Sequence, residues 1–333
     1  MPKICINKPI FISGCLRSGT TLLYELIASQ PSLAYPEMAL EGMLRHPYTS
    51  KLAYNFMPAL LLRRMHRIFI PSSGAPKTGI MKDHIGSNLP FEGGFIWKNQ
   101  LIKNNLSWEN LELKHLGDFP DTFNKILSTY RIILKIAGKD RFVDKSPNFT
   151  AALPVIHKLF PDAYFIHIIR DGRAVVNSIS YAFKYRVNPD GVKFSDMRKW
   201  WGPRPPNWKE LEKSGPVEKA CHQWNYLVRK GLEARQYIGA NYCEVRYEDL
   251  VSNIRNVMLR IIDHCDLEPS AGIEYPVRLE NRNYKWKSPK SREFKDINWT
   301  RKPAIEPDEY KYLELMRPLL EELGYVNKND TLV

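Results

Sequence analysis

The stretch Pro9-Ile-Phe-Ile-Ser-Gly-Cys-Leu-Arg-Ser-Gly-Thr-Thr-Leu-Leu23 constrains the fold more than any other part of the chain. Ile10-Phe-Ile12 is an apolar run of the length of a fully buried strand. Gly14 and Gly19 bracket Arg17 and Ser18, and Leu22, Leu23, Leu26 and Ile27 then recur at helical spacing. A strand that turns between glycines into a helix aims several backbone N–H groups and the positive end of a helix dipole at one point. That point suits a phosphate-like anion. The glycine spacing is that of GxxxxGK[ST], but Thr20 stands where that motif has lysine, and the cation lies inside the loop as Arg17. In the triphosphate loop the lysine reaches the β and γ phosphates and the next hydroxyl holds magnesium. A guanidinium inside the loop can instead fork onto a terminal oxyanion without a metal. The loop therefore suits a phosphate-plus-anion group shorter than a triphosphate.

Two later segments repeat the pattern of a buried strand ending in charge. Phe142-Val143 reads as a short strand with Asp144-Lys145-Ser146 at its carboxyl end, where ligands bind in open parallel sheets. Pro147 stops it, and Thr150 is expected to open a helix running to Phe160. Phe165 to Ile169 is a second apolar strand, broken only by His167, which reads as a packed core residue rather than a catalytic one. Arg170-Asp171-Gly172-Arg173 makes the turn, and from Ala174 the chain is helical, with Ser178 about two turns in. Arg170 and Ser178 can thus face a second anion. Two anion sites at neighbouring strand ends suit one nucleotide phosphorylated at both ends of its ribose.

The charge balance agrees with an anionic ligand. The chain of 333 residues carries a net charge of +13, which favours nucleotides, sulfated or acidic substrates, nucleic acid or a membrane surface. The lysines and arginines are spread without a dense run, which argues against nucleic acid. Five cysteines, with no CxxC or paired spacing, suggest reduced thiols and no metal site. No segment reaches the roughly 18 consecutive apolar residues of a membrane span. The N-terminus from Met1 to Pro9 has no signal-peptide core, so a complete sequence would be cytoplasmic, with a trimmed membrane anchor left open.

These pieces resemble, in order, the sulfotransferases that use 3′-phosphoadenosine 5′-phosphosulfate (PAPS). Arg17-Ser-Gly-Thr-Thr21 is similar to their 5′-phosphosulfate loop, and Arg170-Asp-Gly-Arg-Ala-Val-Val-Asn-Ser178 to their 3′-phosphate motif. Asp144-Lys145-Ser146-Pro147 looks like the lysine-bearing strand end of the tyrosylprotein branch, and Val245-Arg-Tyr-Glu-Asp-Leu250 like the YEDL segment. Arginine rather than lysine in the loop places the chain nearer the tyrosylprotein and bacterial carbohydrate-type branches than the cytosolic phenol branch. The resemblance spans about residues 9 to 250. It implies that Arg17, Ser18, Gly19, Thr20 and Thr21 bind the 5′-phosphosulfate, that Arg170 and Ser178 hold the 3′-phosphate, and that Tyr247 lies near the adenine. It further implies that Lys145, with Arg17, neutralises charge on the bridging oxygen as the sulfuryl group leaves. Glu37 is expected to be the general base, with Glu41 as the fallback, because Met38 replaces the second glutamate of the tyrosylprotein pattern. Lys287, in the basic aromatic segment Lys285-Trp286-Lys287, is expected to close over the nucleotide.

The expected fold is one α/β domain over residues 1–333: a doubly wound, mostly parallel sheet like that of P-loop NTPases, flanked by helices. Insertions at about 42–120 and 184–216 are expected to form the acceptor side; in the second, tryptophans beside arginines (Trp200, Trp201, Trp208) are exposed for stacking on an acceptor, or Trp200 and Trp201 anchor the loop to the core. Regular helices are expected over 121–137, 218–238, 254–265 and 306–323, and a last strand over 242–247. The expected reaction gives 3′,5′-phosphoadenosine (PAP) and a sulfate ester on an acceptor hydroxyl of a carbohydrate, natural product or tyrosine, with a lean toward an anionic or glycan-like acceptor. No metal is expected. A P-loop-type nucleotide or small-molecule kinase is the alternative, and a non-catalytic binder of acidic glycans or nucleic acid the third class. No sequence feature sets an oligomeric state.

Overall fold

The computed structural model of the chain describes residues 5–36, 90, 92–185, 200, 202–268 and 305–332. Five strands form one sheet: β1 (Ile10–Gly14), β2 (Leu33–Ala34), β3 (Arg141–Lys145), β4 (Tyr164–Ile169) and β5 (Tyr242–Arg246), in the order β2-β3-β1-β4-β5. Every pairing is parallel. The chain winds outward from β1 in both directions, as the doubly wound expectation requires. Its topological switch point is the crevice between the carboxyl ends of β1 and β4, where Gly14 pairs with Ile168.

Alternation along β1 explains why every one of its residues is buried. Phe11 points to one face, packing against Phe142, Phe149, Phe160 and Phe165, with the Phe165 ring stacked at 5.7 Å. That face is covered by α2 (Gly94–Leu101), α4 (Pro120–Ala137), α5 (Leu153–Leu159) and the end of α7 (Pro216–Ile238); a short helix, α3 (His115–Asp118), precedes α4. Ile10 and Ile12 point the other way, against α1 (Thr20–Ala28), α8 (Tyr247–Ser252) and α9 (Ile254–His264). A third apolar cluster joins α6 (Gly172–Tyr185), α7 and α10 (Arg317–Glu322).

Helix α4 obeys the sequence expectation within one residue: Pro120 sits at its first turn and Gly138, at φ 69°, ends it. In α7, Gly231 interrupts a long amphipathic helix at a propensity cost of about 1 kcal/mol. A Cβ there would fall on the His167 imidazole, so the glycine lets α7 close onto β4. His167 is fully buried, within 2.9 Å of the Ser13 hydroxyl through Nδ1, and burial pushes its pKa down to about 3. It is a core histidine.

Three boundaries differ from the sequence reading. The helix expected from Thr150 starts as a 3-10 stretch at Pro147–Ala152, because Ser146 Oγ caps the Asn148 N–H and proline fixes the first turn. The last strand ends at Arg246, and Tyr247 opens α8. The expected 306–323 helix is a 3-10 stretch, Pro307–Met316, followed by α10, since Pro318 has no N–H for the helical ladder.

Of the two insertions, the described parts are joined to each other. Arg204 Nε donates to Glu109 Oε1 at 3.1 Å, and its guanidinium lies 4.2 Å from the Trp208 ring centre. Trp200 and Trp208 are half-buried, which favours the anchoring reading over the exposed one: Lys219 lies over Trp200 and Arg204 over Trp208. Trp201 lies outside the described residues. All five cysteines are free, three of them buried. Among the described residues no helix is long and apolar enough to cross a membrane, and no three His, Cys, Asp or Glu side chains cluster as a metal site.

Candidate active site

The β1–α1 loop is held in a shape only glycine permits at two points. Gly14 (φ 152°) would clash with the Ile168 carbonyl oxygen at 2.6 Å if it carried a Cβ. Gly19 (φ 90°) has the Tyr247 ring where its side chain would be. Arg17, at φ 65°, adopts the left-handed conformation despite its side chain. Thr150 locks the loop base: its Oγ1 accepts from Gly14 N at 2.9 Å and donates to Gly14 O at 3.3 Å.

The loop ends on an uncapped helix. Gly19 is the N-cap of α1 and supplies no side-chain bond, and no acidic residue stands in the first turn. Its N-terminal N–H groups are therefore left for an anion. Ser18 adds a second sign: its hydroxyl is buried and has no hydrogen-bond partner among the described residues. A buried orphan hydroxyl beside free helix N–H groups fits the phosphosulfate that the loop sequence implies.

The tip of β4 meets this loop directly. Arg170 Nη1 donates to Arg17 O at 2.8 Å, and Arg17 Nε donates to Ser178 Oγ at 2.9 Å. The Arg170 guanidinium lies 4.2 Å from the Tyr247 ring centre, so the ring is wedged between Gly19 and Arg170. Arg17, Arg170, Ser178 and Tyr247 thus share one crevice. Ser178, expected to face the same anion as Arg170, touches Arg17. Asp171, Arg173 and Glu248 are scaffold. Asp171 accepts from Arg173 Nη2 at 2.7 Å, and its N–H donates to Glu248 Oε1 at 3.0 Å. Tyr325 OH donates to the other oxygen of Glu248 at 3.0 Å, and Trp224 Nε1 donates to Arg170 O at 3.1 Å.

The tip of β3 closes the opposite side. Lys145 is 1% exposed; its ammonium donates to Thr21 Oγ1 at 3.1 Å and forms an ion pair with Glu92. Its neighbour Asp144 is fully buried and points away, accepting from Tyr130 OH at 2.6 Å, Gly93 N at 2.8 Å and its own successor's N–H at 2.6 Å. Trp97 Nε1 in turn donates to Tyr130 OH at 2.8 Å. Burial pushes the Asp144 carboxyl up to about 7, against the pull of those three donors.

Glu37, Glu41 and Lys287 lie outside the described residues. Two residues at the site escaped the sequence reading, Thr150 and Glu92. The first looked like a helix start; the second was signalled only by the pair of glycines after it, which mark a close backbone approach.

A parallel sheet with a glycine-bounded strand-to-helix loop at its switch point defines an α/β protein of the doubly wound, P-loop-like class. Residues 118–271, which include Lys145, Arg170, Ser178 and Tyr247, match the Sulfotransferase family profile. The chain is 25% identical over 284 residues to the omega-hydroxy-beta-dihydromenaquinone-9 sulfotransferase Stf3 of Mycobacterium bovis, covering 79% of this chain and 64% of that protein. It is 24% identical over 174 residues to protein-tyrosine sulfotransferase A of Caenorhabditis elegans, covering 51% of this chain and 39% of that one. Among solved structures, the sulfotransferase STF9 from Mycobacterium avium superposes with a TM-score of 0.57 at 16% identity, over 95% of this chain and 77% of that one, and shares the fold. The family match thus covers a little under half of the chain, and the relatives it resembles are sulfotransferases. The chain spans a little under two thirds of the length of the mycobacterial relative.

Proposed function

We propose that the protein transfers a sulfuryl group from PAPS to an acceptor hydroxyl, giving PAP and a sulfate ester. The observation that carries this is the contact between the two strand tips, Arg170 Nη1 to Arg17 O at 2.8 Å and Arg17 Nε to Ser178 Oγ at 2.9 Å. Arginines so close, on either side of a switch point, suit one ligand with an anion at each end. In this reading the α1 N-terminus, Ser18, Thr20 and Thr21 hold the 5′-phosphosulfate, while Arg170 and Ser178 hold the 3′-phosphate. The Tyr247 ring, already under a guanidinium, borders the adenine. The donor supplies an activated sulfuryl group whose departure leaves negative charge on a phosphate oxygen. Lys145 is buried and tied to Thr21, so its charge acts at the loop in a site with little water, where a fixed cation is worth most.

The acceptor reading is a hydroxyl-bearing molecule. The relatives' own names give a hydroxylated menaquinone derivative and protein tyrosine. The basic balance of the chain adds a lean toward an acidic acceptor. The test is thermal: PAP without magnesium should raise the melting temperature, and Arg17→Ala or Arg170→Ala should abolish the rise. Stabilisation by ATP with magnesium alone would transfer the reading to a kinase.

A further inference from the structure

The segment Glu92-Gly93-Gly94 lies against Asp144-Lys145-Ser146 and delivers a carboxylate to the β3 tip. Gly93 N donates to Asp144 Oδ1 at 2.8 Å, and a Cβ on Gly93 would fall on that carboxylate. A Cβ on Gly94 would stand 2.8 Å from Ser146 Oγ. Glu92, the one member of the segment with a side chain, sets its Oε1 on the Lys145 ammonium. Two successive glycines let the backbone settle on the β3 tip, and the outcome is a carboxylate at the open end of the buried lysine. The Lys145 side chain is 2% exposed and that of Glu92 is 47% exposed, so the pair runs from the donor loop out to solvent. Glu92 therefore stands on the solvent side of the lysine, where an acceptor can reach it.

We propose that Glu92 is the general base that takes the proton from the acceptor hydroxyl. The proposal rests on the sulfuryl-transfer reading above. In the step, the acceptor oxygen forms a bond to sulfur and the sulfur–oxygen bond to the 5′-phosphate breaks. Its electron pair goes to the phosphate oxygen, and the acceptor proton passes to the Glu92 carboxylate and on to solvent. The products are a sulfate ester, PAP and one proton. The hydroxyl proton becomes strongly acidic as the oxygen–sulfur bond forms, so a carboxylate within hydrogen-bond reach can take it. Lys145 fixes the position of Oε1 and leaves Oε2 for the proton. Asp144, through Gly93, is the positioning residue for this base.

The experiment follows PAP release from labelled PAPS by wild type and by Glu92→Gln, with tyramine and with water as the acceptors, across pH. The expected result is a loss of about 100-fold or more in turnover for Glu92→Gln. The acid-side fall of the wild-type kcat/KM profile should vanish, PAP should still raise the melting temperature as in wild type, and Glu92→Asp should recover part of the rate. Release by Glu92→Gln within threefold of wild type overturns the assignment. So does a loss in which the acid-side fall persists, since that marks Glu92 as a support for Lys145 alone, or one in which PAP no longer stabilises the variant, since that marks Glu92 as part of the donor site. If wild type releases no PAP with either acceptor, the sulfuryl-transfer reading falls, and this proposal with it.

Discussion

The tips of β3 and β4 each carry a cation beside a carboxylate, and the fold treats the two pairs in opposite ways. At β4, the Asp171 carboxylate is taken by Arg173 and its backbone by Glu248, so the acid is built into the frame while Arg170 faces the crevice. At β3, Asp144 receives only neutral donors among the described residues, Tyr130 OH and two backbone N–H groups, while Lys145 goes to Thr21 and Glu92. At β3 the adjacent side chains go to different partners, because successive residues on a strand point to opposite faces. Neighbouring charges at that tip are therefore not partners. What differs is the company each acid keeps: a cation at β4, and at β3 a dry network that pushes the carboxyl up to about 7.

Removing either cation sharpens the contrast most. Lys145→Ala should lower turnover by about 100- to 1,000-fold with PAP affinity nearly intact. Arg170→Ala should weaken PAP binding by roughly 2–5 kcal/mol, because truncating one partner of a buried charged contact leaves the other exposed to that loss. Steady-state kinetics and calorimetric titration separate the two, and equal effects of both variants on PAP affinity would break the division of labour drawn here.

The next effect is on stability, where Asp144 and His167 pull in opposite directions. Asp144 moves from 3.8 to about 7 on folding, so the folded protein keeps a proton the unfolded chain has lost, and stability falls as pH rises from about 4 to about 7. His167 moves from 6.5 to about 3, so the unfolded chain takes up a proton that the folded protein refuses, and stability falls as pH drops below 6.5. Each slope reaches at most about 1.4 kcal/mol per pH unit. Between about pH 4 and 6.5 they oppose. His167→Gln should leave a melting temperature that declines as pH rises, and Asp144→Asn one that declines as pH falls. Scanning calorimetry across that range checks both signs, and parallel profiles for the two variants would contradict the assignments.

Arg204→Ala should give the smallest change, about 0.5–1 kcal/mol of stability, since it loses a half-buried ion pair with Glu109 and the stacking on Trp208. Denaturant unfolding measures it.

The sequence revealed what depends on neighbours in the chain. Ile10-Phe-Ile12, the glycines at 14 and 19, and the apolar run before Arg170 are local signals, and they were enough for the parallel sheet and the two strand-end loops at its switch point. Thr150 and Glu92 were not legible, because their partners, Gly14 and Lys145, stand 136 and 53 residues away and are brought near only by the strand order. The burial of Trp208 was hidden for the same reason: its cover, Arg204, is itself held by Glu109 from the other insertion.

Binding of PAP compared with 5′-AMP, to wild type and to Arg170→Ala, tests most directly whether two strand tips grip opposite ends of one nucleotide. Wild type should bind PAP far more tightly than 5′-AMP, and Arg170→Ala should bring the two affinities together by weakening PAP alone. Equal weakening of PAP and 5′-AMP would contradict the account, since Arg170 would then serve the loop and not a second phosphate.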